Sequence, residues 1–86
     1  MQRDEDYQRM AWASRRGLLE LDLLLNPFMA ERYSTLTAEL KDDYRRLMAC
    51  EDQEILNWIL AREAPVDESL NLITASIRDH NRGKLR

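Results

Sequence analysis

Apolar side chains recur every three or four positions along most of this 86-residue chain, and this spacing constrains the fold more than any other feature. Only two glycines and two prolines interrupt the pattern, and valine, isoleucine and threonine never alternate with polar residues as in a half-buried strand. The sequence therefore predicts an all-α fold. We expect a compact antiparallel bundle of about five short helices, one domain over residues 1–86 with flexible ends at about 1–5 and 82–86.

The first two helices follow from apolar stripes. The first is predicted to begin near Asp4 and to fade at Ser14, and the second to begin near Gly17. The leucine stripe of the second helix is broader than the apolar arc of a surface helix, so we expect it to be covered on much of its girth. Pro27 lies inside this stripe and predicts a kink or a break near Asn26, because proline removes a helical donor.

The other boundaries follow from capping residues. Residues 33–37 are predicted to form a loop, and Thr37 is a candidate N-cap for the third helix. Asp52 is a candidate N-cap for a fourth helix that ends near Arg62. Asp67 or its neighbour is predicted to open the fifth helix, which ends in a basic last turn that suits the helix dipole.

Composition excludes several classes of protein. The net charge is -3, the wrong sign for neutralising phosphates over a broad surface, so nucleic acid is not expected as a partner. The most apolar segment, residues 18–29, is interrupted by charges and is shorter than the roughly 20 residues that a membrane span needs. The single cysteine cannot form an internal disulfide, which is typical of a reducing compartment, and we expect a cytoplasmic protein.

Few residues are candidates for catalysis. His80, the single histidine, lies in a polar C-terminal turn without a second ligand at metal-binding spacing, and we interpret it as a solvated helix-end residue. Cys50 has no histidine or lysine near it in the sequence and is interpreted as an inert, partly buried thiol. Trp12 and Trp58 can each belong to the core or anchor an interface, and Trp12 is the better interface candidate. The sequence therefore predicts a protein that is not an enzyme.

The charges at the predicted start of the second helix are unfavourable for the helix itself. Arg15 and Arg16 stand where the helix dipole is positive, and each cation there is disfavoured by about 0.3–1 kcal/mol. Arg16 and Glu20 are four residues apart, yet an exposed pair stabilises by only about 0.3–0.5 kcal/mol. Gly17, between them, offers bare backbone. Asp22 faces away from Glu20, so the two carboxylates cannot form a dyad, and Asp22 is expected to meet a neighbouring helix or water.

Two interpretations of this segment remain open. The guanidinium of Arg16, the flat patch at Gly17 and the carboxylate of Glu20 can form a docking surface for another protein. Alternatively, they form a glycine-capped helix with a solvated ion pair. If they form a docking surface, we expect Arg16→Ala and Glu20→Ala to change the free energy of unfolding by no more than about 0.5 kcal/mol.

These residues carry a resemblance to a known family. The stretch WASRRGLLELDLLL, the following PF and the later LNWIL resemble the small FAD assembly factors of succinate dehydrogenase, whose hallmark is an RG-x-x-E motif. The resemblance extends from about residue 7 to residue 81. The motif itself falls on Arg16, Gly17 and Glu20, and the resemblance implies that these residues bind a partner, together with Trp12, Arg15 and Asp22.

The resemblance implies a helper that binds the flavoprotein subunit of succinate dehydrogenase, and in bacteria of fumarate reductase, and promotes its covalent FAD attachment. The client's own active site performs that reaction, so FAD is expected on the client and no cofactor on this chain. We expect a bacterial, cytoplasmic form, because the targeting extension of eukaryotic members has no counterpart in this sequence. We also expect the protein to be monomeric when free.

Two alternatives remain beside this function. One is an antitoxin-type module that binds toxin or cytoskeletal partners, as some members of the family are described. The other is a helix-turn-helix DNA-binding protein, although the third and fourth helices have no basic face that could enter a groove.

Overall fold

A computed structural model describes residues 5–82 of the chain. Within this range it consists of helices and connecting segments, so the prediction of an all-α fold is confirmed. The five α-helices are α1 (Glu5–Ala13), α2 (Leu19–Arg32), α3 (Ala38–Met48), α4 (Asp52–Ile59) and α5 (Asn71–His80), and two 3₁₀ helices span Tyr33–Thr35 and Glu68–Leu70. The Cα radius of gyration is 12.0 Å, close to the value of about 12 Å expected for a compact domain of this length.

Helix α2 lies at the centre of the fold and contacts α1, α4 and α5. Its buried face contributes to one apolar cluster drawn from all five α-helices and both 3₁₀ helices. The buried members of the cluster are Met10, Leu21, Leu24, Leu25, Phe28, Met29, Tyr33, Tyr44, Leu47, Met48, Ile55, Leu56, Trp58, Ile59, Leu70, Ile73 and Ile77. None of the helices between residues 5 and 82 is both long and apolar enough to cross a membrane.

The structure corrects two expectations about the start and the course of α2. The helix begins at Leu19, because Gly17 has a φ of +83° and so lies outside helical geometry. Of the two outcomes predicted for Pro27, the break near Asn26 is wrong, since α2 is one continuous helix from Leu19 to Arg32, and the kink stays a prediction. Leu23, whose carbonyl loses its helical donor to Pro27, lies on the exposed side of the helix. Water can hydrate that carbonyl, which lowers the penalty for an internal proline.

The expectation that α2 is covered on much of its girth is also wrong. Leu19 is 73% exposed and Leu23 is 59% exposed, whereas Leu21, Leu24 and Leu25 are buried. Within residues 5–82, the elements that pack on α2 leave the side that carries Leu19 and Leu23 at the surface. An apolar strip on α2 is therefore left at the surface of the described chain.

Most of the predicted helix ends are confirmed to within a few residues. Thr37 caps α3, its side-chain oxygen accepting a hydrogen bond from the Leu40 N–H at 3.1 Å. The segment predicted as a loop after α2 instead begins with a 3₁₀ helix. Asp67 caps the second 3₁₀ helix, which runs directly into α5. The predicted start near Asp4 and most of the predicted flexible ends lie outside the described residues.

Helix α4 differs from its prediction at both ends. Glu51, not Asp52, is the N-cap, and its backbone N–H donates to the Glu54 carboxylate at 3.4 Å. The helix ends at Ile59, short of Arg62, because Ala61 adopts a left-handed φ of 61° that a helix cannot continue. The carboxylate of Asp52 is thus available for a contact outside its own helix.

Candidate functional site

The segment that joins α1 to α2, residues 14–18, is called the linker here, and its first residue is anchored in the core. The Ser14 hydroxyl donates to the Met10 carbonyl at 2.7 Å and shares a second hydrogen bond with the Tyr44 hydroxyl at 2.5 Å. Both side chains are fully buried, and burial raises the pKa of Tyr44 to about 12. A buried polar pair of this kind fixes where the linker leaves α1.

Arg16 connects the linker to the turn between α3 and α4. Its Nε lies 2.7 Å from Oδ1 of Asp52. Nη1 donates to the carbonyl oxygens of Ala13 at 3.0 Å and Met48 at 2.9 Å, and Nη2 donates to that of Cys50 at 3.0 Å. Only 16% of the side chain is exposed. The guanidinium thus satisfies carbonyls at the C-terminal end of α3 and in the turn that follows.

These contacts correct the expected geometry of the motif. The expectation that Arg16 presents its guanidinium at the surface is wrong, and so is the expected Arg16–Glu20 pair. Arg16 precedes α2, so the one-turn spacing that would bring it to Glu20 does not apply. The three backbone carbonyls and the Asp52 carboxylate offer a guanidinium more bonds than one exposed glutamate could. Partner binding by Arg16 stays a prediction.

The backbone of the linker is held from the other side by Asp22. Its Oδ1 accepts the Arg16 N–H at 2.8 Å and its Oδ2 accepts the Gly17 N–H at 3.2 Å. The sequence led us to expect that Asp22 meets a neighbouring helix or water. Its carboxylate instead accepts hydrogen bonds from the backbone of the linker that precedes its own helix. Gly17 is exposed, and apart from its two chain neighbours no heavy atom lies within 4 Å of the position a Cβ would take. The linker thus combines fixed backbone with an open surface.

Several exposed residues that are charged or apolar lie near Gly17 in the sequence. Trp12 is 75% exposed, whereas Trp58 is buried in the core. Arg15 and Glu20 are exposed, and none of the ion pairs found within residues 5–82 includes either of them. We call Arg15, Gly17, Leu19, Glu20 and Leu23 the linker face.

The sequence analysis missed two members of the linker face, Leu19 and Leu23. Both lie on the same side of α2 as Glu20, because residues one and three positions apart from it fall within about 100° around a helix. The excess width of the leucine stripe was the available signal, but we interpreted it as a sign of cover by the rest of the chain. An apolar stripe that is too wide for the neighbouring helices to cover can equally indicate an interface with another molecule.

The remaining candidate residues have structural surroundings. His80 is not the solvated residue expected, because its Nε2 lies 2.7 Å from Glu31 Oε1 and its ring packs edge-on against Phe28 at 5.6 Å between centroids. Cys50 is partly buried as predicted, and burial raises the pKa of its thiol above the usual value. Within residues 5–82, no group of three histidine, cysteine, aspartate or glutamate side chains is placed to hold a metal ion.

The fold and the linker face define a class of protein: a small helical module with an open surface of charged and apolar residues. A family model described as the flavinator of succinate dehydrogenase matches residues 8–81. The chain therefore belongs to this family. The family consists of assembly factors of the chaperone type, which are not catalysts in their own right.

Curated relatives support the same assignment. The FAD assembly factor SdhE of Pseudomonas aeruginosa is 42% identical over 76 residues, which cover 88% of this chain and 90% of the relative. The protein of the same name from Pseudomonas savastanoi pv. phaseolicola is 43% identical over 79 residues, 92% of this chain and 94% of the relative. That of a Serratia species is 34% identical over 76 residues, 88% and 86% of the two chains.

Proposed function

We propose that this chain binds the flavoprotein subunit of succinate dehydrogenase and promotes the covalent attachment of FAD to that subunit. Family membership supports a role in FAD attachment, and the linker face supports a role that acts by binding the subunit. The observation that carries the proposal is the exposed Glu20 carboxylate beside the bare backbone of Gly17, neither of which contributes to packing of the bundle. The flavoprotein subunit of fumarate reductase is proposed as a second client.

The linker face has the composition of a docking surface. Leu19 and Leu23 supply apolar area whose burial against a partner is favourable, by about 25 cal/mol for each Å² removed from water. Arg15 and Glu20 supply charges of both signs for orienting the partner. Trp12, just ahead of the linker, is the type of side chain that most often dominates the affinity of an interface.

The proposed mechanism is a shift of conformational population in the client. A helper that binds one conformation of the flavoprotein better than the others raises the population of that conformation. If that conformation is competent for flavinylation, the client's own active site forms the bond to FAD. FAD then remains on the client, and this chain needs no cofactor. The three relatives described above come from bacteria, which supports a cytoplasmic site of action.

DNA binding by α3 has no support in the structure. Arg45 pairs with Asp6 at 3.0 Å, and Arg46 pairs with Asp43 at 2.5 Å and with Asp67 at 3.1 Å. Arginines already paired with carboxylates do not present the unneutralised basic face that contacts to phosphates need. Nothing among the described residues favours an antitoxin role either.

Covalent flavin on the flavoprotein subunit tests the proposal. The subunit is isolated from cells that lack this protein, denatured, and assayed for flavin fluorescence. We expect the fluorescence to fall strongly, to return with the parent protein, and to return poorly with Glu20→Ala. Glu63→Ala is the control, because Glu63 is also exposed but lies in the segment after α4. Unchanged flavin in the deleted cells would exclude the assembly role.

A further inference from the structure

We propose that Asp52 is a positioning residue for the assembly function: it holds Arg16, and through Arg16 it fixes the linker that presents Gly17 and Glu20 to the client. The inference rests on the proposed function. Asp52 lies 36 residues from Arg16 in the sequence, and the tertiary structure brings their side chains to 2.7 Å.

The first step of the argument concerns Arg16, which has little capacity left for a partner. A guanidinium has five N–H donors. Four of the hydrogen bonds made by Arg16 go to oxygen atoms of Ala13, Met48, Cys50 and Asp52. Because four of the five donors are used and only 16% of the side chain is exposed, at most one N–H group of Arg16 is available to a client. The geometry therefore assigns Arg16 to holding the linker.

The second step concerns the carboxylate of Asp52. It is the one ion-pair partner of Arg16 within residues 5–82. It has no capping duty, since Glu51 is the N-cap of α4, and it is 38% exposed. In this contact both donor and acceptor carry a full charge, whereas a carbonyl is a neutral acceptor, so it contributes more to holding Arg16 than any single carbonyl does.

The third step concerns the linker backbone, which is held from two directions. Asp52 holds the side chain of Arg16 from α4, while Asp22 holds the N–H groups of Arg16 and Gly17 from α2. If the Asp52–Arg16 ion pair is removed, the linker stays bonded to Asp22 of α2 but is held less firmly against the α3–α4 turn. A loosened linker must be ordered again when the client binds, and that ordering weakens affinity.

The experiment compares the parent with Asp52→Asn, which keeps the shape of the side chain and removes its charge. The control is Asp43→Asn, which removes a charge from a similar pair with Arg46 within α3. Hydrogen exchange of the free proteins is measured at the amides of Arg16 and Gly17. We expect faster exchange at these two amides in Asp52→Asn than in the parent or the control, with exchange in α5 unchanged.

Binding to the purified flavoprotein subunit is measured at a temperature where circular dichroism shows all variants folded. We expect Asp52→Asn to bind about ten-fold more weakly than the control. In an Arg16→Ala background, Asp52→Asn should cause no further loss, because Asp52 acts through Arg16. Binding equal to the control would overturn the inference, and so would a further loss in the Arg16→Ala background, which would indicate direct contact with the client.

The two proposals fail in different ways. If the parent protein does not bind the flavoprotein subunit, the proposed function is wrong, and this role for Asp52 fails with it. If the parent binds and Asp52→Asn binds equally well with unchanged exchange at Arg16 and Gly17, only the role of Asp52 is wrong.

Discussion

The phenol of Tyr33 donates a hydrogen bond to Oδ2 of Asp6 at 2.5 Å, which ties α1 to the 3₁₀ helix that follows α2. Oδ1 of the same carboxylate pairs with Arg45 of α3 at 3.0 Å. Asp6 thus connects α1 to the first 3₁₀ helix and to α3. Hydrogen bonding by Tyr33, together with Arg45, lowers the pKa of Asp6 below its usual value of 3.8.

This contact predicts a pH dependence of stability. A carboxylate whose folded pKa is lowered stabilises the fold fully above its unfolded pKa, and that contribution is lost as the pH falls through the folded pKa. We expect Asp6→Asn to lower the free energy of unfolding by about 1 kcal/mol at neutral pH. The difference from the parent should shrink below about pH 4, where the unfolded carboxyl takes up its proton. Urea unfolding at several pH values measures this, and a difference that is the same at every pH would contradict it.

Arg16→Ala is expected to destabilise the fold, in contrast to the small effect expected from the sequence. The substitution leaves three backbone carbonyls and the Asp52 carboxylate without their donor. Loss of a partly buried, charge-assisted network of this size corresponds to about 1.5–3 kcal/mol. Denaturant unfolding gives the value. Arg15→Ala, at an exposed neighbour, is the control and should change stability by less than about 0.5 kcal/mol. An Arg16→Ala protein as stable as the control would show that these bonds contribute nothing.

Substitution of Gly17 is expected to separate stability from binding. At φ +83° an L residue is strained, so Gly17→Ala should lower stability by about 1–2 kcal/mol. Gly17→Asn should lower it less, because asparagine tolerates left-handed backbone. Both variants place a side chain in the open space over the linker, and both should weaken client binding, asparagine the more because it is larger. Normal client binding by the asparagine variant would remove Gly17 from the docking surface.

Polar substitution of the exposed leucines is expected to spare the fold. Leu19→Ser and Leu23→Ser remove side chains that lie mostly in solvent, so stability should change by less than about 1 kcal/mol, the helix-propensity difference included. Affinity for the flavoprotein subunit should fall by about ten-fold for the pair, since apolar area is lost from the interface. Leu72→Ser is a matched control, because Leu72 is 71% exposed on α5. An equal effect of the α5 control on binding would contradict a specific role for the linker face.

Local patterns were sufficient to predict the helices. Thr37 was identified as a cap from its position before an apolar stripe, and its hydroxyl makes the bond that such a cap makes. Asp52 shows the limit of the same reasoning: its place at a helix start indicated an N-cap, but Glu51 takes that role one residue earlier. Aspartate is the more common N-cap residue, but a helix boundary predicted from sequence is uncertain by a few residues, so spacing alone does not decide which of the two residues caps α4.

The RG-x-x-E motif illustrates a further limit. The sequence identified Arg16, Gly17 and Glu20 as one group, and family membership agrees with the resemblance that the group carries. Their spatial roles nevertheless differ, because Arg16 turns inward while Gly17 and Glu20 remain at the surface. His80 was misjudged for the same reason, since Phe28 and Glu31, which surround it, come from a distant part of the chain.

By itself, the sequence determined the helical content, the approximate helix boundaries and the family. These properties depend on spacing within a few residues, where helix geometry alone decides which side chains are neighbours. Only the tertiary structure decided that Arg16 meets Asp52 and that Leu19 and Leu23 are left uncovered. Contacts between distant residues depend on how all the helices pack together at once, and no local pattern in the chain encodes that packing.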